Sequence, residues 1–390
     1  MPVQSPTVGR RRPKDRKDRI AQVAAELFCE RGYHGVSLEE IAAVVGISAP
    51  AVYRHFDNKY AILVAATRGL VDAALTATDV DDLHALLVAL AGLAVTHRKT
   101  GGLYQWEWRY LTEEHRIEFG EGLALLRRRV AVPLMAARPE LTAPDADAIA
   151  RAVLSIFGSL GTHRAVVARG RAEEILIRAA TRVVFADPPT PAVRRSRELP
   201  LVELRVTATA RRELLLTSAI RLFRERGYHA VNVEDIGQHA GINASSVYRY
   251  FPGKAELLAA AFYRASERVA EATAAALDGA RDKPDALRRM IDSYVELTFE
   301  RSDLVTVYLA ENNNLPEADR HELRKVQRLH VEDWVRLLLA LRPELAASEA
   351  RVLTHAALNL VTDLSRWVRF DRRSAMDHHL IRLMAVVLRA

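Results

Sequence analysis

Two stretches of the 390-residue chain carry the residues with the plainest chemistry: SAPAVYRHF at 48–56 and NASSVYRYF at 243–251. Each opens on a side chain that can cap a helix, Ser48 or Asn243. Small residues follow: Ala49, Pro50 and Ala51 in the first, Ala244, Ser245 and Ser246 in the second. A first helical turn built this way lets the backbone come close to a partner. Hydroxyl, imidazole and ammonium groups come next, from Tyr53, His55 and Lys59 in one copy and from Tyr248, Tyr250 and Lys254 in the other, with Ser37 and Asn232 just upstream. Hydroxyls, lysines and helix N-terminal N–H groups are what meet phosphate oxygens. A helix with an open first turn fits the major groove, where base edges can be read. The chemistry implied is recognition of double-stranded DNA, with no bond made or broken.

Such helices need a small scaffold, and the sequence supplies one. Ile20, Val23, Ala24, Leu27 and Phe28 form one apolar stripe at helical spacing. Gly32 is placed to end that helix. Ser37 and Glu40 bracket SLEE, a capping box that starts a short helix over about 38–44. Gly46 makes a tight turn. Ser48 caps a third helix, expected through Phe56 with Pro50 tolerated in its first turn, and a longer helix starts near Asn58. Helix, short helix, turn, helix is a helix-turn-helix. Leu27, Phe28, Ile41, Val52 and Phe56 read as its core, and Tyr33 and Tyr228 as packing residues.

The whole scaffold occurs twice. LFCERGYHGVSLEEI at 27–41 returns as LFRERGYHAVNVEDI at 222–236, a separation of 195 residues, and about half the positions from 24 to 63 are identical to their counterparts. A weaker echo lies downstream, RPEL at 138–141 and again at 342–345. Between and after the two scaffolds the chain reads as helix after helix, with breaks expected near Asp79–Asp81, Gly101–Gly102, Pro139, Pro144 and Gly170. DPPTPAVRRSRELP at 187–200 has the proline density of a linker. The reading is an all-α chain made of two similar halves. Their divisions fall at 1–13, a basic flexible arm; 14–74, the first head; 75–186, the first body; 187–206, the linker; 207–269, the second head; and 270–390, the second body.

The run ALF–ERGY–S–EEIA–VGIS–VYRHF–NK resembles the TetR family of bacterial transcriptional regulators, over about 14–74 and 209–269. The resemblance implies two tandem TetR-like halves, each a three-helix helix-turn-helix head on a roughly six-helix ligand and dimerisation body. It implies ligand-controlled repression. It places Ser48 to Tyr53 and Asn243 to Tyr248 at the start of two recognition helices, and assigns phosphate contacts to Tyr53, His55, Lys59, Tyr248, Tyr250 and Lys254. Typical members carry one head and form homodimers; the fusion is the departure. In the family the last two helices of each body make the dimer interface, here about 145–186 and 347–389. Two such pairs in one chain can satisfy each other, giving an intramolecular pseudo-dimer on an imperfect palindrome; a homodimer of chains is the competing arrangement. The bodies enclose an effector pocket in the family. Candidate walls are Tyr104, Trp106, Trp108 and Tyr110 in the first body, and Tyr294, Phe299, Tyr308, Asn312, His330 and Trp334 in the second.

Composition fits these expectations. Net charge is +7, the pI is about 9.6 and arginine dominates, which favours nucleic acid or an anionic surface as partner. The basic run 10–19, RRRPKDRKDR, either tracks a DNA groove or is a solvated tail. Cys29 is the one cysteine, so no internal disulfide forms and a reducing, cytoplasmic, nucleoid-associated location is expected. No apolar run is expected to span a bilayer. His378 and His379 are adjacent and point apart on a helix, no Cys/His spacing suits zinc, and no glycine loop cradles phosphate. No enzyme activity, metal or cofactor is expected. A helical small-molecule carrier or enzyme with vestigial heads is the alternative reading.

Overall fold

The described residues of the computed structural model are 13–103, 110–188, 208–300, 302–311, 314–372 and 375–389. Among them are seventeen α-helices, one 3-10 turn and no strand. Two compact units divide the chain, residues 1–130 and 131–390.

The first unit begins with α1 (Pro13–Arg31), so the basic run is helical from Pro13 onward; the arm expected before it, residues 1–12, lies outside the described residues. The five stripe residues, Ile20 to Phe28, are all buried. Gly32 and Gly46 take φ +78° and +79°, the left-handed conformation that a glycine adopts without strain. Between them lies α2 (Leu38–Val45), held by the capping box: Ser37 N–H donates to Glu40 Oε2 at 2.8 Å and Glu40 N–H to Ser37 Oγ at 3.2 Å. Then come α3 (Ala49–Tyr53), shorter than the sequence suggested because it loosens into a turn after Tyr53, and α4 (Lys59–Ala77), capped by Asn58. Phe28, Ile41, Val52, Phe56, Ile62 and Leu63 close the core beneath them. The helices α5 (Leu83–Thr96) and α6 (Glu113–Ala137) follow. A Cβ at Gly122 would sit 2.6 Å from Val71 Cγ1, so glycine there lets α6 cross close over α4. Arg68 and Glu118 join the same two helices through two bonds of 2.8 and 2.9 Å. The expectation that no apolar run reaches membrane length has one exception, α4, with 19 residues and a mean hydropathy of 1.3. Its Ile62, Leu63, Val64 and Ala66 are buried in the head core, the behaviour of a core helix.

The second unit takes the end of α6, then α7 (Ala143–Gly158), a 3-10 turn (Ser159–Gly161) and α8 (Arg169–Val184). Pro144 and Gly170 fall in the first turns of α7 and α8, so the breaks expected near them lie just before these helices. The second head is α9 (Ala208–Arg226), α10 (Val233–His239), α11 (Ala244–Val247) and the start of α12 (Lys254–Asp278). Its body is α13 (Lys283–Glu300), α14 (Ser302–Glu311), α15 (Glu317–Leu341), α16 (Ala347–Trp367) and α17 (Met376–Leu388). The head core runs on into the body through Val307, Leu315 and Leu323.

The RPEL echo acquires a purpose here. Arg138 donates to Glu140 at 2.8 Å and to the carbonyls of Val184 and Ala186 at 2.8 and 2.6 Å. Arg342 repeats this with Glu344 at 2.8 Å and the Leu388 carbonyl at 3.4 Å. Each arginine thus satisfies carbonyls left open at the C-terminus of the last helix of its own half.

The helices α7 and α8 pack on α16 and α17. That is why the division falls within α6 and not at the linker: the end of the first half is buried against the second. Ala152, Val153, Ile156, Ala356, Leu360 and Val361 are fully buried there, the valine, isoleucine and leucine side chains contributing about 1.5–3 kcal/mol each by burial. Matching positions, 204 apart as the two RPEL runs are, relate the contacts by an approximate two-fold. Ser155 and its counterpart Asn359 touch each other, Nδ2 to Oγ 2.9 Å. Arg151 lies 4.4 Å over the Trp367 ring, and the counterparts of that pair, His163 and His355, stack at 4.3 Å and 11°. Arg171 adds an ion pair to Glu349.

Candidate nucleic-acid interface

In both heads the recognition turn hangs from one buried valine. Val52 is 1% exposed, while its neighbour Tyr53 is 54% exposed; Val247 and Tyr248 stand at 0% and 49%. This anchoring turns Ser48, Pro50 and Tyr53 outward on α3, and Asn243, Ser245 and Tyr248 outward on α11. Ala49, Ala51, His55, Ala244, Ser246 and Tyr250 are half-buried at the flanks. Tyr53 has no hydrogen-bond partner among the described residues, and Tyr248 Oη donates to Glu234 at 3.4 Å.

The caps differ. Asn243 Oδ1 accepts from Ser246 N–H at 2.9 Å and from Ser245 Oγ at 3.0 Å, so it is engaged in shaping α11. Ser48 makes no capping bond. Ser37 and Asn232 are both engaged in capping boxes, the latter through Asp235 at 2.7 and 2.9 Å.

Lys59 and Lys254 depart from the sequence reading. Each ammonium faces inward. Lys59 Nζ donates to the carbonyls of Tyr33 and Val36, both at 2.9 Å, and lies 4.5 Å above the Tyr33 ring. Lys254 does the same with Tyr228 and Val231, at 2.8 and 2.9 Å, and lies 4.4 Å above the Tyr228 ring. Two of three donors are therefore committed to the turn after the first helix. Burial pushes the Lys254 ammonium below its usual range, against the pull of Glu311. A carbonyl pair ahead of the second helix offers this cation a fixed, partly dry cradle. These lysines clip the ERGYH turn to α4 and α12, and Tyr33 and Tyr228 are the rings beneath them.

Sequence reasoning passed over Arg54 and Arg249. Both are exposed, both follow the outward tyrosine, and Arg249 reaches Ser246 Oγ at 3.1 Å. Their position in VYR, identical in the two copies, was the signal available. From the basic run, Lys17 lies 5.1 Å over Phe56, and its counterpart Arg212 lies 5.2 Å over Phe251.

Of the pocket candidates, Tyr104, Trp106, Trp108 and Asn312 lie outside the described residues. Tyr110 packs on Tyr33 and His34 at 5.2 and 4.7 Å, joining body to head. Phe299 packs on Phe370 at 6.2 Å with Arg372 above it. Tyr308 packs on Phe262 at 5.0 Å, at the seam of the second head. Tyr294, His330 and Trp334 do converge, Trp334 Nε1 donating to His330 Nε2 at 3.1 Å. The cavity they line is about 10 Å³, room for about one water.

The family model for bacterial regulatory proteins of the tetR family matches residues 20–66 and again 215–261. The chain is a tandem TetR-family regulator. A model for the tetracyclin repressor-like C-terminal domain also matches, over 280–382. Among relatives, the HTH-type transcriptional activator FasR of Mycolicibacterium smegmatis is 27% identical over 185 residues, 47% of this chain and 81% of that one. An HTH-type transcriptional regulator of Mycobacterium tuberculosis is 40% identical over 84 residues, 21% of this chain and 41% of that one. A TetR-family regulator from Bordetella parapertussis is a structural neighbour at 22% identity and a TM-score of 0.41, covering 44% of this chain and 93% of that one. This tandem TetR chain is thus a helix-turn-helix DNA-binding transcriptional regulator with both heads present.

Proposed function

We propose that the chain acts as a single-chain pseudo-dimer, a ligand-responsive repressor that sets its two heads on one imperfect palindrome. The observation that carries the reading is the two-fold contact of α7 and α8 with α16 and α17, in which positions 204 apart meet within one chain. TetR-like bodies are built to pair, and here the partner is already attached, so assembly is independent of concentration. The heads differ where bases would be read: Pro50 and Ala51 against Ser245 and Ser246. The operator should therefore have unequal half-sites, centred about 34–36 Å apart or a multiple of that.

In this reading the domains run as head 14–74, body 75–186, linker 187–206, head 207–269 and body 270–390. Ser48, Ala49, Pro50 and Ala51, with Asn243, Ala244, Ser245 and Ser246, approach base edges. Tyr53, His55, Tyr248 and Tyr250 meet phosphates, joined by Arg54 and Arg249. Ser37 and Asn232 bring helix N-termini to the backbone, and Lys59 and Lys254 act chiefly by holding the turn. The small-molecule effector acts in the second body beside Tyr294, His330 and Trp334, by opening the closed cavity there. The site of action is cytoplasmic DNA.

Light scattering of the free and operator-bound chain tests the arrangement. One chain per operator is the expected result, with footprints of unequal half-sites. A stable dimer of chains with four heads, or tightest binding to a perfect palindrome of either half-site, refutes it.

A further inference from the structure

A cleft of about 250 Å³ opens where the second head meets its body. Its floor is one stripe of α12, with Ala259 and Ala260 followed by the Tyr263 ring one turn on. Arg212 enters from the first turns of α9, Glu256 from the start of α12 and Asp319 from the first turn of α15. These charged groups are not paired off. Arg212 lies 5.2 Å over the Phe251 ring and has no carboxylate partner among the described residues. Glu256 makes no hydrogen bond or ion pair among them. The two face one cleft without reaching ion-pair distance of each other. Asp319 accepts from Tyr263 Oη at 3.0 Å through Oδ1, which leaves Oδ2 open. Burial, and then that bond, raise the Tyr263 phenol above its ordinary range, so it remains a donor and holds Asp319 at the rim. Farther along the stripe, Arg264 and Glu267 close on each other at 3.3 Å.

A guanidinium and two carboxylates that line a small cavity without meeting suit a molecule that carries both charges itself. Arginine binds a carboxylate through paired N–H donors. An ammonium brings three donors, which match Glu256 and the open Asp319 oxygen. The alanine floor leaves room for a short apolar side chain beside the Tyr263 ring. The volume falls just below the roughly 300 Å³ at which drug-sized sites begin, the scale of one amino acid. The first half does not offer the same groups. At the positions 195 earlier, Ala61 stands for Glu256, Val64 for Ala259 and Arg68 for Tyr263, and Arg68 is already paired with Glu118.

We propose that this cleft binds a free α-amino acid with an apolar side chain, its carboxylate on Arg212 and its ammonium between Glu256 and Asp319. The site is separate from the small closed cavity at Tyr294, His330 and Trp334. Its walls come from α9 and the start of α12 in the head and from α15 in the body, so an occupant joins the second head to its body. The binding rests on the cleft alone; only its use as a signal rests on the ligand-responsive reading.

Titration of the full chain with L-leucine, at about 0.15 M salt to screen diffuse attraction and read by saturation-transfer NMR, tests this directly. Saturable binding is expected. Isocaproate, which is leucine without the ammonium, and isoamylamine, which is leucine without the carboxylate, should each bind about tenfold weaker or worse. Arg212→Gln and Glu256→Gln should each weaken L-leucine about tenfold. Both residues are exposed, so both variants should melt within about 2 °C of the parent, which shows that they fold. Lys17→Gln, at the matching place in the first head, should leave leucine binding unchanged. Absent saturation, or equal affinity in the parent and either cleft variant, overturns the site. So does a one-ended analogue that binds as tightly as leucine, which makes the cleft a site for a single charge. So does an Arg212→Gln variant that loses mixed-sequence duplex DNA while it keeps leucine, which assigns that arginine to the DNA backbone. None of these outcomes decides the operator reading, which stands or falls on stoichiometry and half-sites.

Discussion

Replacing His379 with isoleucine should stabilise the protein, and more so in mild acid. The ring of His379 is 1% exposed on α17, and neither nitrogen has a hydrogen-bond partner among the described residues. Burial pushes its pKa down from 6.5 to about 4, Arg382 adds to the fall, and Asp145 opposes it. The matching position in the first half, on α8, is Ile175, which is fully buried, so the fold already holds an aliphatic side chain at this place. In the unfolded chain the imidazole takes its proton near its ordinary pKa; in the folded chain it resists until about pH 4. The stability it permits is therefore complete above about pH 6.5 and is lost as pH falls towards 4. A gap of about 2.5 units at about 1.36 kcal/mol each is about 3 kcal/mol. Isoleucine carries no such term. At neutral pH it should also recover about 1–2 kcal/mol, by removing two buried polar atoms that pair with nothing. His97 and His330, also pushed down by burial, contribute equally to parent and variant and cancel in the comparison. Urea unfolding followed by circular dichroism at pH 7.5, 6.5, 5.5 and 4.5 gives the difference at each pH. It should widen steadily towards acid. Curves that stay parallel within about 0.5 kcal/mol would show that the imidazole is solvated or paired in solution, and the reasoning fails.

Other outcomes follow from the same contacts. Lys254→Met strands two carbonyls in a partly dry turn and should cost about 1–3 kcal/mol in thermal unfolding; an unchanged melting temperature would return the lysine to phosphate binding. Tyr53→Phe and Tyr248→Phe, being exposed, should leave stability within about 0.5 kcal/mol yet weaken operator binding in mobility shifts. Arg54→Gln should lower the salt dependence of DNA binding by about one unit of slope, measured by titration across potassium chloride concentrations. Ser155→Ala removes one donor from the half-buried Asp363, which also accepts from Asn359, and should destabilise by about 1–3 kcal/mol in the same urea assay.

The heads were legible in the sequence because their signals are local. The stripe from Ile20 to Phe28, the SLEE capping box and the left-handed glycines each depend on residues within a turn or two, and each appears in the structure at the place it was read. The role of Lys59 was hidden for the opposite reason. Its partners are backbone carbonyls 23 and 26 residues away, and a carbonyl leaves no mark on residue type. The same holds for RPEL: the repeat was visible, but its arginine works on carbonyls 46 positions downstream. In the bodies, aromatic density at Tyr110, Phe299 and Tyr308 suggested a cavity wall. Aromatic rings pack as readily on one another, and the structure uses these three to seal helices together.

The two sides of the α7–α16 contact carry different pairs, arginine on tryptophan and histidine on histidine. A homodimer cannot do this, because one gene writes both sides and every substitution lands twice. In the fused chain each side has its own codons and can drift alone. The drift also has a direction. Two first halves brought together would set Arg151 against His163 twice, and two second halves would set His355 against Trp367 twice, and neither match occurs in the native contact. Once such differences accumulate, the halves lose their old ability to live apart: the fusion becomes a ratchet, and separating the gene into two single-headed regulators would no longer restore the ancestor.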